Sequence, residues 1–177
     1  MAAERILGAV LAGGRSSRFG SDKAMAQMPD GRTLIDHAMA GLAPHVAQVV
    51  ICGRAGGLPD RPAPDMGPLG GLSAALHHAL VQGFDGVLTT GCDMPLYPAE
   101  LPAALIGEGA AILKGQQLLG WWPATLAPDL DAHLAADNNR SIHGWLDRIG
   151  ARVVDMPWLA LPNINRPEDL THWAEDD

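Results

Sequence analysis

Residues 6–23 read ILGAVLAGGRSSRFGSDK, an apolar run that passes directly into a glycine-rich loop. The apolar part, Ile6 to Leu11, predicts a strand buried on both faces, as in sheets that carry helices on either side. Strand-like runs then alternate with helical patterns along the rest of the chain. This alternation predicts an α/β fold, a single-domain three-layer α/β/α sandwich over residues 1–177 with a mostly parallel, Rossmann-like sheet.

The other elements are predicted from periodicity and from start and stop signals. Thr33 is expected to cap a helix that ends near Pro44, with Asp36 as the second member of a capping box. A second helix shows the apolar face Leu72, Leu76 and Leu80 and is expected to stop near Gly83. Further strands are expected at 46–52, 87–90, 110–113, 118–122 and 151–156, and further helices from Pro98 to Leu105, at 128–135, at 141–149 and at 167–173.

Composition restricts the classes of protein. The 177 residues include 12 Lys and Arg against 20 Asp and Glu, a net charge of -8 that disfavours a nucleic-acid surface. No apolar run approaches the ~18 residues that a membrane span needs, and the N-terminus does not resemble a signal peptide. Two cysteines, Cys52 and Cys92, are too few for a disulfide framework or a zinc site. We therefore expect a cytoplasmic protein that binds neither nucleic acid nor membrane.

The loop after the first strand has the composition of an anion site. Its glycines let backbone N–H groups surround an anion, and Arg15, Arg18 and Lys23 add three positive charges within nine residues. The loop matches neither the Walker A pattern nor the dinucleotide-binding pattern Gly-x-Gly-x-x-Gly. A solvated surface turn is the alternative, but ligands of open α/β sheets bind where strands end, which favours a polyphosphate.

A second candidate segment, Gly91 to Pro95, follows the third predicted strand. It places the carboxylate of Asp93 just beyond a buried strand. Magnesium is usually bound by one or two carboxylates together with substrate phosphates and water, so Asp93 is a candidate Mg²⁺ ligand. An Asp that caps a turn before Pro95 is the alternative. Both candidate segments are expected at the same edge of the sheet, which favours the metal interpretation.

Four segments resemble the molybdenum cofactor guanylyltransferases, a branch of the wider nucleotidyltransferase group. They are residues 11–24 (LAGGRSSRFGSDKA), 67–71 (GPLGG), 91–95 (GCDMP) and 163–170 (NINRPEDL), in the family's order. The resemblance implies a nucleotidyltransferase fold and transfer of GMP from GTP to phosphorylated, molybdenum-bound molybdopterin, with release of pyrophosphate. It also implies Mg²⁺ as cofactor and molybdopterin-insertion proteins or molybdoenzymes as partners.

The resemblance further implies the roles of individual residues. Lys23 matches the phosphate-contacting lysine, and Asp93 matches the Mg²⁺ ligand. For the implied reaction, the charges of Arg18 and Lys23 are expected to stabilise the β- and γ-phosphates as they leave. Asp60 lies at the family's spacing for the residue that recognises guanine, although Asp65 is a competitor. The backbone along the nucleotide is matched by Leu11, Ala12, Gly13 and Gly14.

This chain departs from the family pattern at two site positions. The loop after the second strand reads Ile51-Cys52-Gly53-Arg54, where the family often has an Asn that binds GTP. Arg166 replaces a usual Thr near the expected pterin side. Two other functions therefore stay open: cytidyl transfer to molybdopterin or nucleotidyl transfer to another small metabolite, and GTP binding without catalysis by a partner of molybdoenzymes.

Overall fold

The predicted first strand, Ile6–Leu11, is called β1 and lies one strand in from an edge of the sheet. The computed structural model describes residues 5–13, 22–136, 140–159, 161–162 and 164–170. Across these residues the chain forms one six-stranded sheet in the order β2-β1-β3-β5-β4-β6. The other strands are β2 (Gln48–Cys52), β3 (Gly86–Gly91), β4 (Ala111–Leu113), β5 (Gln116–Pro123) and β6 (Arg152–Val154).

The sheet is mostly parallel, as predicted. β1 pairs in parallel with β2 and β3, and β4 pairs in parallel with β6. Only β5 of these six strands runs the other way, because it pairs antiparallel with both β3 and β4. The chain moves from β1 outward to β2 and then crosses over to β3 on the opposite side of β1. Such a change of direction opens a crevice at the carboxyl ends of the strands, where ligands bind in folds of this class.

Helices cover both faces of the sheet and confirm the predicted three layers. The α-helices in the described ranges are α1 (Leu34–Leu42), α2 (Pro68–Gln82), α3 (Leu101–Leu105), α4 (Ala127–Ala136) and α5 (Ile142–Ile149). Side chains of β1 alternate between two buried clusters: Leu7 packs with apolar residues of α2, α4 and α5, and Val10 packs with those of α1 and α3. This alternation follows from the two-residue period of a strand. In the described part of the chain, no helix combines the length and the apolar character that a bilayer crossing requires.

Helix termini follow their sequence signals in two places. The Thr33 hydroxyl accepts the N–H of Asp36, whose carboxylate accepts the N–H of Thr33, so the predicted capping box is confirmed. α2 ends at Gly83, which adopts φ = 72°. An L side chain rarely adopts this left-handed conformation, so glycine is the residue expected there.

Several predicted boundaries differ from the observed ones. The strands predicted at 46–52 and 151–156 are the shorter Gln48–Cys52 and Arg152–Val154. Pro98 does not open a helix: its carbonyl accepts the N–H of Leu101 in a turn, and α3 begins only at Leu101. Pro102 stands in the first turn of α3, a position where proline loses no helical hydrogen bond. The weak strand predicted at 118–122 is the longer central strand Gln116–Pro123. Of the predicted terminal helix, residues 167–168 form a turn, 169–170 are helical, and the remainder lies outside the described residues.

Candidate active site

Three strands end side by side at one edge of the sheet. Leu11 pairs with Cys52 of β2 and with Gly91 of β3, so the residues that follow these three positions emerge next to one another. The Ala12 N–H donates to the carbonyl oxygen of Cys52 (3.0 Å), which extends the pairing of β1 and β2 by one more step. The crevice therefore receives Ala12 and Gly13 after β1, the turn after β2 and the segment 92–95 after β3.

Lys23 and Asp93 meet in this crevice. The Lys23 ammonium lies 3.6 Å from Asp93 Oδ2, and the two side chains are 14% and 30% exposed. The cationic loop and the acidic segment were predicted to lie together, and the structure shows this for Lys23 and Asp93. Gly14 and Arg18, the other predicted site residues of the loop, lie outside the described residues.

A tight turn fixes the position of Asp93. The Met94 N–H donates to the carbonyl oxygen of Gly91 (3.2 Å), and the Met94 side chain is buried against the core. The Asp93 carboxylate folds back over the end of β3, where a Cβ on Gly91 would lie only 2.5 Å from Oδ1. The backbone carbonyl oxygen of Asp93 accepts the N–H of Ile164 (3.0 Å), and this hydrogen bond holds the C-terminal segment next to the site.

The same C-terminal segment reaches the lysine. Lys23 Nζ donates to the side-chain oxygen of Asn165 (3.2 Å). One Asp169 oxygen accepts the backbone N–H groups of Asn165 and Arg166, so the segment has its own local hydrogen bonds. The sequence motif 163–170 signalled that this segment belongs to the site, but not that it contacts Lys23.

An ion pair that sequence reasoning missed lies beside Lys23. Arg54 Nη1 donates to Asp22 Oδ1 (2.8 Å), and Nη2 donates to Asp22 Oδ2. These hydrogen bonds hold the pKa of the Asp22 carboxyl below its usual range and raise the pKa of Arg54. In the sequence, the departure from the family pattern at Ile51–Arg54 was the one indication that this stretch is unusual. It did not indicate that Arg54 contacts Asp22.

Asp60 lies under the turn that follows β2. Its Oδ2 accepts the backbone N–H of Met66 (3.1 Å), whereas Oδ1 is buried without a hydrogen-bond partner among the described residues. Oδ1 sits close to Gly13 and Gly53: a Cβ on these residues would lie 3.6 and 3.1 Å from it. Burial raises the pKa of the Asp60 carboxyl.

The competing residue, Asp65, has a different position. It is exposed, with φ = 58°, and its backbone carbonyl oxygen lies 3.5 Å from Arg140 Nη1. Asp60 is thus the carboxylate that the structure places at the strand ends, and Asp65 lies on the outer loop.

Glycines allow the first two strand ends to approach closely. Gly53 adopts φ = 79°, and a Cβ there would lie 2.6 Å from Gly13 Cα. The clash would be with backbone, which cannot turn away as a side chain can. Leu11 and Ala12 are buried beneath this contact, whereas Gly13 is exposed. Of these three residues, which are predicted to lie along the nucleotide, Gly13 is the one whose backbone reaches the surface.

Three tryptophans belong to the core and not to the site. Trp121, Trp122 and Trp145 are all at least 97% buried in the two core clusters. His77 pairs with Asp131 (2.7 Å) between α2 and α4. Within the described ranges, no three His, Cys, Asp or Glu residues come together as a metal site.

Asp93 is therefore the carboxylate considered for a cation at these strand ends, since Arg54 holds Asp22, one oxygen of Asp60 is buried and the other accepts a backbone N–H. Mg²⁺ is usually bound by one or two carboxylates together with substrate phosphates and water, so one half-buried carboxylate is enough. A protein cage of several ligands is not needed for this kind of binding. The residues present therefore fit a metal that arrives together with a nucleotide.

Comparison with known proteins agrees with this geometry. The sequence profile of the family described as "MobA-like NTP transferase domain" matches residues 8–153. A molybdenum cofactor guanylyltransferase of Sinorhizobium fredii is 34% identical over 197 residues, covering 94% of this chain and 89% of the relative. One from Cereibacter sphaeroides is 36% identical over 183 residues, covering 94% of each chain.

Solved structures show the same fold. The molybdopterin-guanine dinucleotide biosynthesis protein A of Archaeoglobus fulgidus superposes with a TM-score of 0.72 at 23% identity, over 96% of this chain and 97% of that chain. The profile match alone spans well over half of the present sequence, and it includes the strand ends, Lys23 and Asp93. The chain is a member of the MobA-like NTP transferase family.

Proposed function

We propose that the protein transfers the GMP moiety of GTP to the phosphate of molybdenum-bound molybdopterin, which yields the guanine dinucleotide form of the cofactor and pyrophosphate. The observation that carries the proposal is the approach of Lys23 and Asp93 to 3.6 Å at the ends of β1 and β3. The relatives named molybdenum cofactor guanylyltransferase, aligned over nearly their full length, supply the nucleotide and the acceptor.

The reaction is a displacement at the α-phosphorus. An oxygen of the molybdopterin phosphate monoester forms a bond to the α-phosphorus of GTP, and the bond from that phosphorus to the β-phosphate oxygen breaks. Pyrophosphate leaves with the electron pair of the broken bond. The attacking oxygen is already ionised near neutral pH, so no residue has to remove a proton from it.

The obstacle is the repulsion between two anions, so catalysis consists of positioning and charge neutralisation. Lys23 would contact the β- and γ-phosphates and stabilise the charge that develops on pyrophosphate. Arg18, from the same loop, is proposed for the same task. Loss of one such electrostatic group typically lowers the rate by about 10²–10³.

Asp93 would hold Mg²⁺ against the phosphates. Bound there, the ion supplies positive charge that offsets the negative charge on the phosphate oxygens. In the structure described, Lys23 stands beside the Asp93 carboxylate, so the lysine and the proposed metal ligand can both face one triphosphate. The backbone of residues 11–14 would run along the nucleotide.

Asp60 is proposed to recognise guanine. A carboxylate can accept hydrogen bonds from guanine N1–H and from the exocyclic amine, a pair of donors that adenine lacks. The buried Oδ1 of Asp60 has no partner among the described residues, and a buried acceptor without a donor is costly. Gly53 approaches Oδ1 with backbone alone. The proposal requires this turn to move outward so that the base edge can reach Oδ1. Donors from the base would also favour the ionised carboxylate.

The acceptor is proposed to bind on the side of the C-terminal segment, since Asn165 contacts Lys23 there. The product would be handed to molybdopterin-insertion proteins or molybdoenzymes. A cytoplasmic location fits this role, because GTP is the donor.

The test measures pyrophosphate release with GTP, CTP or ATP, each with and without molybdopterin. We expect release only with GTP and molybdopterin together, and a fall of about 10²–10³ in kcat for Lys23→Ala and for Asp93→Ala. Lys114→Ala is the control, because it breaks an exposed ion pair with Asp155 at the β4–β6 edge and should leave kcat unchanged.

Release with CTP alone among the nucleotides would instead identify a cytidylyltransferase. Tight GTP binding without any product would identify a binding protein. A correctly folded Lys23→Ala or Asp93→Ala variant with near-normal turnover would remove that residue from the mechanism.

A further inference from the structure

The pair formed by Arg54 and Asp22 joins two parts of the crevice that are 32 residues apart in the sequence. Arg54 follows β2 by two residues, and Asp22 immediately precedes the short 3₁₀ helix Lys23–Met25. The contact is made by two hydrogen bonds between the guanidinium and both carboxylate oxygens. Such a bidentate arrangement fixes orientation as well as distance. It therefore anchors the start of the segment that carries Lys23 to the end of β2.

Both members of the pair are ionised at neutral pH. The hydrogen bonds from Arg54 lower the pKa of Asp22, and those to Asp22 raise the pKa of Arg54. The Arg54 side chain is 23% exposed and that of Asp22 is 49% exposed. The pair thus lies at the surface of the crevice, where a bound triphosphate would be.

An unpaired carboxylate at Asp22 would harm nucleotide binding in two ways. It would place a negative charge next to a ligand that is itself strongly anionic. It would also stand next to Lys23 in the chain and could attract the ammonium away from the phosphates. Arg54 removes both problems, because it neutralises the carboxylate and turns it toward β2.

We infer that Arg54 is a positioning residue of the nucleotide site: through Asp22 it holds Lys23 in place and keeps the Asp22 carboxylate away from the triphosphate. The inference rests on the proposed function only for the identity of the nucleotide. It assigns a specific task to the arginine of Ile51–Arg54, the stretch that departs from the family pattern.

The test is a double-mutant cycle on binding of GTP–Mg²⁺ to the full chain, measured by isothermal titration calorimetry without molybdopterin. We expect Arg54→Ala to weaken binding about tenfold, the order expected for a half-exposed, doubly hydrogen-bonded ion pair. On the Lys23→Ala background the same change should cost clearly less than on the wild-type background, because the part that acts through Lys23 is already lost and only the repulsion by the released Asp22 carboxylate is left. Equal losses on both backgrounds would show that Arg54 does not act through Lys23, and would overturn the inference.

A second comparison examines the charge of Asp22. The double variant Asp22→Ala, Arg54→Ala removes the harmful carboxylate together with its partner, so we expect it to bind GTP more tightly than Arg54→Ala alone. A phosphate ligand at Arg54 would give no such recovery, and that result would also overturn the inference. Arg54→Lys keeps the charge but loses the two-pronged contact, and should fall between wild type and Arg54→Ala.

Controls separate these outcomes from misfolding and from a wrong function. Lys114→Ala removes an ion pair of similar type, 2.7 Å long, at a distant edge and should leave GTP affinity unchanged. If Arg54→Ala does not fold, Arg54→Lys replaces it in the double-mutant cycle. If the wild type binds GTP but releases no pyrophosphate with molybdopterin, the proposed function fails while the cycle still decides the inference. If it binds only CTP, the cycle is measured with CTP, and if it binds no nucleotide, both fail.

Discussion

The turn that carries Asp93 depends on the absence of a side chain at Gly91. A Cβ there would lie 2.5 Å from Asp93 Oδ1 and 3.4 Å from the Cδ1 atom of Leu118. Gly91 pairs with Leu11 at the end of β3, so the sheet holds its backbone in place. The carboxylate is the part that can move. Gly91→Ala is therefore expected to push Asp93 Oδ1 outward by roughly 1 Å to restore ordinary van der Waals contact.

The magnitude of the effect follows from this displacement. A misplacement of about 1 Å in a catalytic group can cost about 10²-fold in rate, equivalent to about 2.7 kcal/mol of transition-state stabilisation. Stability should change little, because the contact is with the end of a flexible side chain and not with backbone. We expect the Tm to fall by less than about 4 °C, which corresponds to about 1 kcal/mol for a chain of this size.

The assay measures kcat for pyrophosphate release at increasing Mg²⁺ concentrations. Gly91→Ala should lower kcat about 10²-fold and raise the Mg²⁺ concentration needed for half-maximal rate. Gly107→Ala is the matched control, because a Cβ there meets only Arg152 Nη2 at 3.5 Å, an ordinary contact. The reasoning is refuted if folded Gly91→Ala keeps kcat within about twofold of wild type, with the same Mg²⁺ dependence.

Four further predictions concern other parts of the molecule. Asp60→Asn should lose the preference for GTP over ATP in competition binding, whereas Asp65→Asn should keep it; the reverse result would reassign base recognition. EDTA should abolish pyrophosphate release and added Mg²⁺ should restore it, and activity that persists in EDTA would contradict a metal at the site. At pH 8 the thiols of buried Cys52 and half-buried Cys92, whose pKa values desolvation raises to about 12 and about 11, should react slowly with iodoacetamide until the protein is denatured, so rapid native labelling would contradict the raised pKa values. Thr33→Ala should cost about 1 kcal/mol and lower the Tm by about 2–4 °C in calorimetry, and an unchanged Tm would show that the cap contributes nothing.

The centre of the site could be predicted because it follows from strand order. The apolar run Ile6–Leu11 identified β1, and the carboxyl ends of neighbouring parallel strands must lie at the same edge of the sheet. Lys23 and Asp93 are therefore brought together by backbone topology, with little dependence on side-chain detail. This is why two segments 70 residues apart in the chain could be assigned to one crevice from the sequence.

The Arg54–Asp22 pair could not be predicted in this way. It depends on the side-chain conformations of two residues in separate loops, and local patterns carry no information about such contacts. The family pattern even pointed elsewhere, because it marked Ile51–Arg54 as a stretch that lacked a contact. Only the positions of the two loops in the folded chain show that Arg54 has a partner beside Lys23.

The central strand β5 was also hard to recognise. The rings of Trp121 and Trp122 lie where neighbouring residues must lack side chains. One of these residues, Gly86, is distant in the sequence, and the other, Gly120, is not of a type that predicts a strand. A Cβ on Gly86 would lie 2.3 Å from the Trp121 ring, and one on Gly120 would lie 2.9 Å from Trp122. The Trp122 indole N–H donates to Thr89 Oγ1 (2.9 Å) in the buried sheet. Packing of this kind determines the strand, whereas its glycine and glutamines weaken the local pattern.

A structure of the full chain with GTP and Mg²⁺ tests the central claim most directly, namely that Lys23 and Asp93 serve one triphosphate. We expect Asp93 to hold the metal ion, Lys23 to contact the β- or γ-phosphate, and the guanine edge to face Asp60. A triphosphate bound away from either Lys23 or Asp93 would contradict the account.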